Sequence, residues 1–345
     1  MSYFKPINSK NLNSAIKFRN NEIKLGERIY LPKVNENIEN FITNTEAQFI
    51  VFGIQEDFGV IANDGIAGTQ KSWLEFLNSF VNIQNNPYLK GKKIALLGAF
   101  DFNTALDIYN NFNVKNAESL QKLYTTVSLI DKEVSYLVSK IVEANKIPII
   151  IGGGHNNSYG NIKGLSLAKG KSINVVNFDA HTDFRNLEGR HSGNGFSYAY
   201  DHGFLKKYFV FGAHENYLSK SIIKNIEATQ GNVVYNTYEE LMIREEKNFK
   251  SELQTALKHI DSAPFGIEID MDAIINIPAS AQTPSGFSME QVRKFVHFFG
   301  SQSKASYLHI CEAAPHLSTT MQPSQVGKAM AYIVSDFIKA KLNSL

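Results

Sequence analysis

Apolar residues along the chain fall into short runs that alternate with longer segments of helical spacing, and that alternation predicts the fold. The runs at 48–54, 93–98, 147–151, 175–178, 208–212, 232–235, 265–272 and 305–310 are rich in Ile, Val and Phe. Most are bounded by Gly, Asn, Asp or Pro, so they read as buried strands. Between them, residues 71–80, 117–144, 156–168, 215–229, 249–260 and 289–299 carry apolar side chains three and four apart, which is one face of a helix. Pro323 suits the first turn of a last amphipathic helix, expected to run nearly to Leu345. Strands alternating with helices throughout predict βαβ units and a mainly parallel sheet covered on both faces. Residues 1–45 are polar with scattered apolar positions. They read as an irregular or short-helical amino-terminal extension ahead of a single domain over 46–345. No internal repeat or linker interrupts the pattern.

Composition narrows the task rather than the fold. The 345 residues are 43% hydrophobic and 20% charged, with a formal net charge of +2. A balance so close to neutral carries no footprint of nucleic acid or an anionic membrane, so a small-molecule substrate is expected. Cys311 is the only cysteine. An intrachain disulfide and a cysteine-built metal site are therefore excluded, and its apolar surroundings predict a buried structural thiol. The first ten residues lack the apolar stretch of a secretory signal, and no segment has the length of a membrane span; a cytoplasmic location is expected.

Candidate chemistry lies at the ends of three predicted strands. The run through Val175, Val176, Asn177 and Phe178 stops at Asp179-Ala180-His181-Thr182-Asp183. Extended backbone would send residues 179, 181 and 183 to one side, so two carboxylates and an imidazole would converge. The strand at 147–151 ends in Gly152-Gly153-Gly154-His155, and the strand at 265–272 ends in Asp270-Met271-Asp272. The three glycines lack the Lys-Ser/Thr or spaced-glycine pattern of a phosphate cradle; they read instead as a close backbone approach that exposes His155. All carboxyl ends of a parallel sheet lie on one edge, so these six side chains can share a crevice. Four aspartates in a dry cleft need cations. The set predicts a dinuclear site whose hard-to-borderline ligands suit Mn²⁺, with zinc or iron also compatible with the ligand types.

These residues carry a resemblance. Gly152-Gly153-Gly154-His155, Phe178-Asp179-Ala180-His181-Thr182-Asp183 and Ile269-Asp270-Met271-Asp272 are similar, in order as well as in residues, to the three metal motifs of the ureohydrolase (arginase/agmatinase/formimidoylglutamase) superfamily. Gly53–Gly68 and Thr283-Pro284-Ser285-Gly286 resemble two further segments of that family, so the likeness covers residue 48 to the end. It implies a three-layer α/β/α domain with a mainly parallel, arginase-like sheet, two Mn²⁺ per chain, and trimers or hexamers. His155, Asp179, Asp183 and Asp270 would hold one ion, and Asp179, His181, Asp270 and Asp272 the other, with Asp179 and Asp270 bridging. Asp183 would move a proton from the attacking water to the leaving amine. Glu312 matches the glutamate that holds the amidine group of the substrate.

The loop after the central motif separates members of the superfamily. Arginases carry Asn where this chain has Arg185, and a histidine two positions after a Ser-Gly-Asn element, where Ser192-Gly193-Asn194 is followed by Gly195-Phe196. The nearby His191 lies on the other side of that element, and a part for it in proton transfer is left open. Formimidoylglutamases resemble the chain better here, with an Arg after the central motif and a Ser-Gly-x-x-Phe run. The expected reaction is therefore cleavage of N-formimidoyl-L-glutamate to glutamate and formamide, with arginase or guanidino-acid hydrolase activity as the alternative and a non-catalytic metal-binding member as a third. Arg185, Arg190, Ser192 and Asn194 are the candidate substrate contacts, because guanidinium forks bind carboxylates bidentately.

Overall fold

The short apolar runs pair into one sheet whose two faces are sealed by separate hydrophobic clusters. The structure is a computed structural model and describes residues 2–102, 114–318 and 321–343. Among these residues nine strands form the sheet: β1 (Phe4–Pro6), β2 (Phe49–Gln55), β3 (Ile94–Asp101), β4 (Ile147–Ile151), β5 (Ile173–Phe178), β6 (Leu205–Ala213), β7 (Val233–Thr237), β8 (Phe265–Asp270) and β9 (Ala305–Cys311). Their order across the sheet is β1-β3-β2-β4-β9-β8-β5-β6-β7. All neighbours are parallel except β1 on β3.

Strand alternation decides which cluster each side chain joins. In β2, Phe49 and Val51 pack with helices Ser72–Phe80, Phe249–Ile260, Met289–Gly300 and Pro323–Asn343 on one face. Ile50, Phe52 and Ile54 pack on the other, with Ile38–Asn44, Ala117–Glu143, Asn157–Lys169, Gly195–Asp201 and Lys220–Glu227. Successive side chains of a strand point to opposite faces, so the two clusters lie on opposite sides of the sheet and the architecture is the α/β/α sandwich expected. Local signals set the helix starts. Asn116 accepts a hydrogen bond from the Ser119 N–H, and Ser288 forms a capping box with Gln291. No helix among the described residues is long and apolar enough to cross a membrane.

Three expectations need correction. Residues read as an amino-terminal extension are woven into the domain. Phe4–Pro6 adds an antiparallel edge strand to β3, and Ile7, Leu12, Ile16 and Leu25 enter one of the two clusters. A three-residue strand held by backbone hydrogen bonds leaves no periodic trace in sequence. The edge needs Gly98, which has φ +128° and where a Cβ would lie 2.1 Å from the Lys5 carbonyl oxygen. The helix expected over 215–229 is a 3₁₀ turn, Glu215–Tyr217, followed by Lys220–Glu227, which starts where Ser219 caps it. The long polar loop after the central motif is partly regular, with a 3₁₀ turn at Ser192–Asn194 and the helix Gly195–Asp201.

Candidate active site

Four strands adjacent in space but scattered in sequence, β4, β9, β8 and β5, end at one place on the carboxyl edge of the sheet. His155 follows β4, Glu312 follows β9, Asp270 ends β8 with Asp272 just beyond, and Asp179, His181 and Asp183 follow β5. The predicted means of convergence was extended alternation, and here the structure differs. β5 stops at Phe178 and β8 at Asp270. Asp179 Oδ1 accepts the His181 N–H at 2.6 Å, and Asp270 Oδ1 accepts the Asp272 N–H at 2.8 Å, so each carboxylate folds the chain that follows it into a turn. Asp183 adopts φ +45° and Glu312 φ +61°. Non-glycine residues in this region carry strain of about 1–3 kcal/mol that surrounding packing must hold, and such strain gathers at functional sites.

The side chains close around a small volume. Nδ1 of His155 lies 3.1 Å from Asp179 Oδ2, 2.9 Å from Asp183 Oδ2 and 3.2 Å from Asp270 Oδ2. Nδ1 of His181 lies 3.0 Å from Asp272 Oδ2 and 3.7 Å from Asp179 Oδ1. Besides His155, His309 and Cys311, two groups of potential ligands result, each with atoms within 4.8 Å of one another: His155, Asp179, Asp183 and Asp270, and Asp179, His181 and Asp272. Asp179 is common to both. Burial alone would push His155 and His181 down, but Cys311 and then Asp179, Asp183 and Asp270 hold His155, and Asp272 and Asp179 hold His181, above the ordinary imidazole value. Burial and the like charges of Asp272 and Asp179 push the Asp270 carboxyl well up. A cleft that retains protons in this way has too few positive charges for its carboxylates, and divalent cations bound to the same oxygen and nitrogen atoms would displace those protons. The donor set, with both ring nitrogens of His155 and Asp272 Oδ1 buried and without hydrogen-bond partners, fits that use.

Buried polar residues hold the cluster in place. Glu56, invisible as a candidate in sequence because it follows an ordinary strand, accepts from the Gly154 N–H at 2.9 Å and from Asn157 Nδ2 at 2.7 Å, fixing the glycine turn that presents His155. Gly153 has φ +71°, and a Cβ there would lie 2.8 Å from Glu56 Oε1, so the turn and its anchor need glycine. Asn177 Nδ2 donates to Asp179 Oδ2 and to the Tyr208 hydroxyl, at 2.8 and 2.9 Å. Glu312 accepts the His155 N–H at 2.6 Å through Oε1 and the Ser280 hydroxyl through Oε2. Burial pushes the Glu312 carboxyl up to about 8 against those hydrogen bonds.

The four predicted substrate contacts divide. Arg190 is buried, and its five N–H donors are taken by Asp131 Oδ1 and Oδ2, Asn194 Oδ1, His191 O and Asn156 O at 2.6–3.3 Å. Its guanidinium also lies over Tyr159 and Tyr198. Asn194 is buried and equally saturated, donating to Gly189 O and Asn186 O. Both hold the loop together and have nothing left to offer a substrate; sequence could not separate a buried arginine from a free one, since Asp131 is 59 residues away, on the helix Ala117–Glu143. Ser192 accepts from Asn63 Nδ2 at 3.1 Å. Arg185 remains half-exposed, with one nitrogen on Asn63 Oδ1 at 2.6 Å and another 3.0 Å from Glu188. His191 is buried between the Gly193 N–H and Glu188; burial and then Arg185 hold it down at about 4, so it is neutral near pH 7.

A family model described as the Arginase family matches residues 77–337. The formimidoylglutamase of Macrococcus caseolyticus is 26% identical over 293 residues, 82% of this chain and 83% of that protein. Among solved structures, the formimidoylglutamase of Bacillus subtilis superposes with a TM-score of 0.71 at 19% identity, over 95% of each chain. A Trypanosoma cruzi formiminoglutamase determined with Mn²⁺ gives 0.70 at 17% identity, over 93% of this chain and 98% of that one.

Proposed function

Because the chain belongs to the arginase family over most of its length, we propose that it hydrolyses N-formimidoyl-L-glutamate to L-glutamate and formamide. The observation that carries the choice of substrate is Arg185, a half-exposed guanidinium two residues beyond Asp183 with donors still open. It is suited to a substrate whose carboxylates lie away from the reacting carbon. Likeness to formimidoylglutamases in sequence and fold supports the same reading.

His155, Asp179, Asp183 and Asp270 would hold one divalent cation and Asp179, His181, Asp270 and Asp272 a second, two Mn²⁺ per chain. When bound, such a pair polarises the substrate and lowers the pKa of water toward neutrality. The residues do the rest. Glu312, fixed by the His155 N–H and Ser280, takes a charge-assisted hydrogen bond from the N–H of the formimidoyl group and orients its carbon. Water oxygen bonds to that carbon while Asp183 accepts a proton. The bond from carbon to the glutamate nitrogen then breaks, and Asp183 returns the proton to the departing amine.

Assay of the Mn²⁺-loaded protein on formimidoyl-glutamate, arginine, agmatine and guanidino-acids side by side should show formimidoyl-glutamate preferred. Agmatine, which has no carboxylate, should be the poorest. Arg185→Asn should raise KM for formimidoyl-glutamate more than it lowers kcat. Preference for arginine would overturn the substrate assignment and leave the metal chemistry standing; no turnover with two metals bound would favour a non-catalytic protein.

Glu312→Gln should keep the metals, because the amide oxygen still accepts the His155 N–H. Its kcat/KM should fall about 10–150-fold, the equivalent of roughly 1.5–3 kcal/mol for a hydrogen bond to a charged group. Unchanged kinetics would remove Glu312 from the substrate.

A further inference from the structure

Behind His155, away from Nδ1, lies a buried carboxylate that the mechanism above does not use. Glu268 sits in the middle of β8, two residues before Asp270, and is fully buried. An isolated carboxylate there would cost several kcal/mol. It is not isolated. Oε1 accepts the Tyr307 hydroxyl at 2.7 Å, and Oε2 lies 2.5 Å from His309 Nδ1. Tyr307 reaches Glu268 by lying across Gly266, where a Cβ would fall 2.1 Å from its ring. Nε2 of His309 is 3.3 Å from the Gly152 carbonyl oxygen, on the glycine turn that carries His155. Glu268, Tyr307 and His309 thus share one face of neighbouring strands and brace one carboxylate beneath the metal-ligand cluster.

That carboxylate faces the ligand. Oε2 of Glu268 is 3.6 Å from His155 Nε2, which is buried and has no hydrogen-bond partner. An imidazole that gives Nδ1 to a cation carries its proton on Nε2, and a buried N–H of that kind needs an acceptor.

We propose that Glu268 is the positioning residue for His155: it accepts a hydrogen bond from the Nε2–H, fixes the ring with Nδ1 toward the cation and raises its basicity, while Tyr307 and His309 hold Glu268 in register. This inference rests on the metal centre proposed above. Glu268→Gln should weaken Mn²⁺ binding at one of the two sites by roughly 10–100-fold, the usual effect of removing a partner behind a metal ligand, and leave the other within about twofold.

The test is calorimetric titration of Mn²⁺ into chelator-treated protein, with Glu268→Gln, His155→Asn and the double variant in parallel. If Glu268 acts through His155, it has little further effect once His155 is gone. A Glu268→Gln protein that binds both ions like the wild type overturns the inference, as does an equal loss with and without His155. Should Glu268→Gln fail to fold, Tyr307→Phe, which removes only one support, is expected to weaken the same site several-fold, and unchanged affinity in that variant overturns it. A wild-type protein that binds no Mn²⁺ would instead overturn the metal centre itself.

Discussion

Asp179→Ala is expected to lose both ions, with affinity at each site falling more than about 100-fold, since changes behind a ligand alone cost 10–100-fold. The carboxylate of Asp179 meets both groups: Oδ2 lies 3.1 Å from His155 Nδ1 and Oδ1 3.7 Å from His181 Nδ1. Removing it opens both coordination spheres at once. Asp270→Ala should behave alike, because Asp270 faces His155 through Oδ2 and holds the turn of Asp272 through Oδ1. His155→Ala should weaken mainly one ion. Turnover in the aspartate variants should fall by about three orders of magnitude, since the charge stabilisation supplied by the ions is worth several kcal/mol. Metal analysis after gel filtration reads the outcome directly. Two equivalents of Mn²⁺ in Asp179→Ala would sink the shared-ligand arrangement.

Arg190→Ala should destabilise the fold by about 3–5 kcal/mol, the cost of leaving a buried ion-pair partner alone. Its guanidinium ties three elements together: Asp131 on helix Ala117–Glu143, the Asn156 carbonyl beside His155, and the loop at His191–Asn194. Burial pushes the Asp131 carboxyl up even beside Arg190, and without Arg190 it would rise further. An acid whose folded pKa exceeds its unfolded value loses stability as pH rises between the two. The deficit of the variant should therefore shrink as pH falls from 7 toward the ordinary Asp value near 4. Arg190→Lys should recover part of the loss, since an ammonium cannot span both Asp131 oxygens. Urea unfolding across that pH range tests both statements. A variant of normal stability with a raised KM would return Arg190 to the substrate.

Sequence alone determined the layer architecture, because strand and helix periods are local properties written in residues two, three or four apart. It also determined the six candidate ligands. A parallel sheet brings every strand end to one edge, so aspartates and histidines just beyond apolar runs had to meet there. Tertiary structure decided what has no local period. The edge strand Phe4–Pro6 depends on backbone pairing with a segment some 95 residues away. Whether an arginine is free or locked depends on a distant carboxylate: Arg185 keeps open donors, and Arg190 spends all of its own on partners up to 59 residues away. Glu56, Glu268 and His309 looked like ordinary members of strands or their ends. Only the folded chain puts Glu56 against Asn157, and Glu268 between Tyr307 and His309 with His155 above it. Side-chain type and spacing along a strand are local, whereas the partner that makes a buried charge tolerable comes from the neighbouring element, and its identity is set by strand order and register.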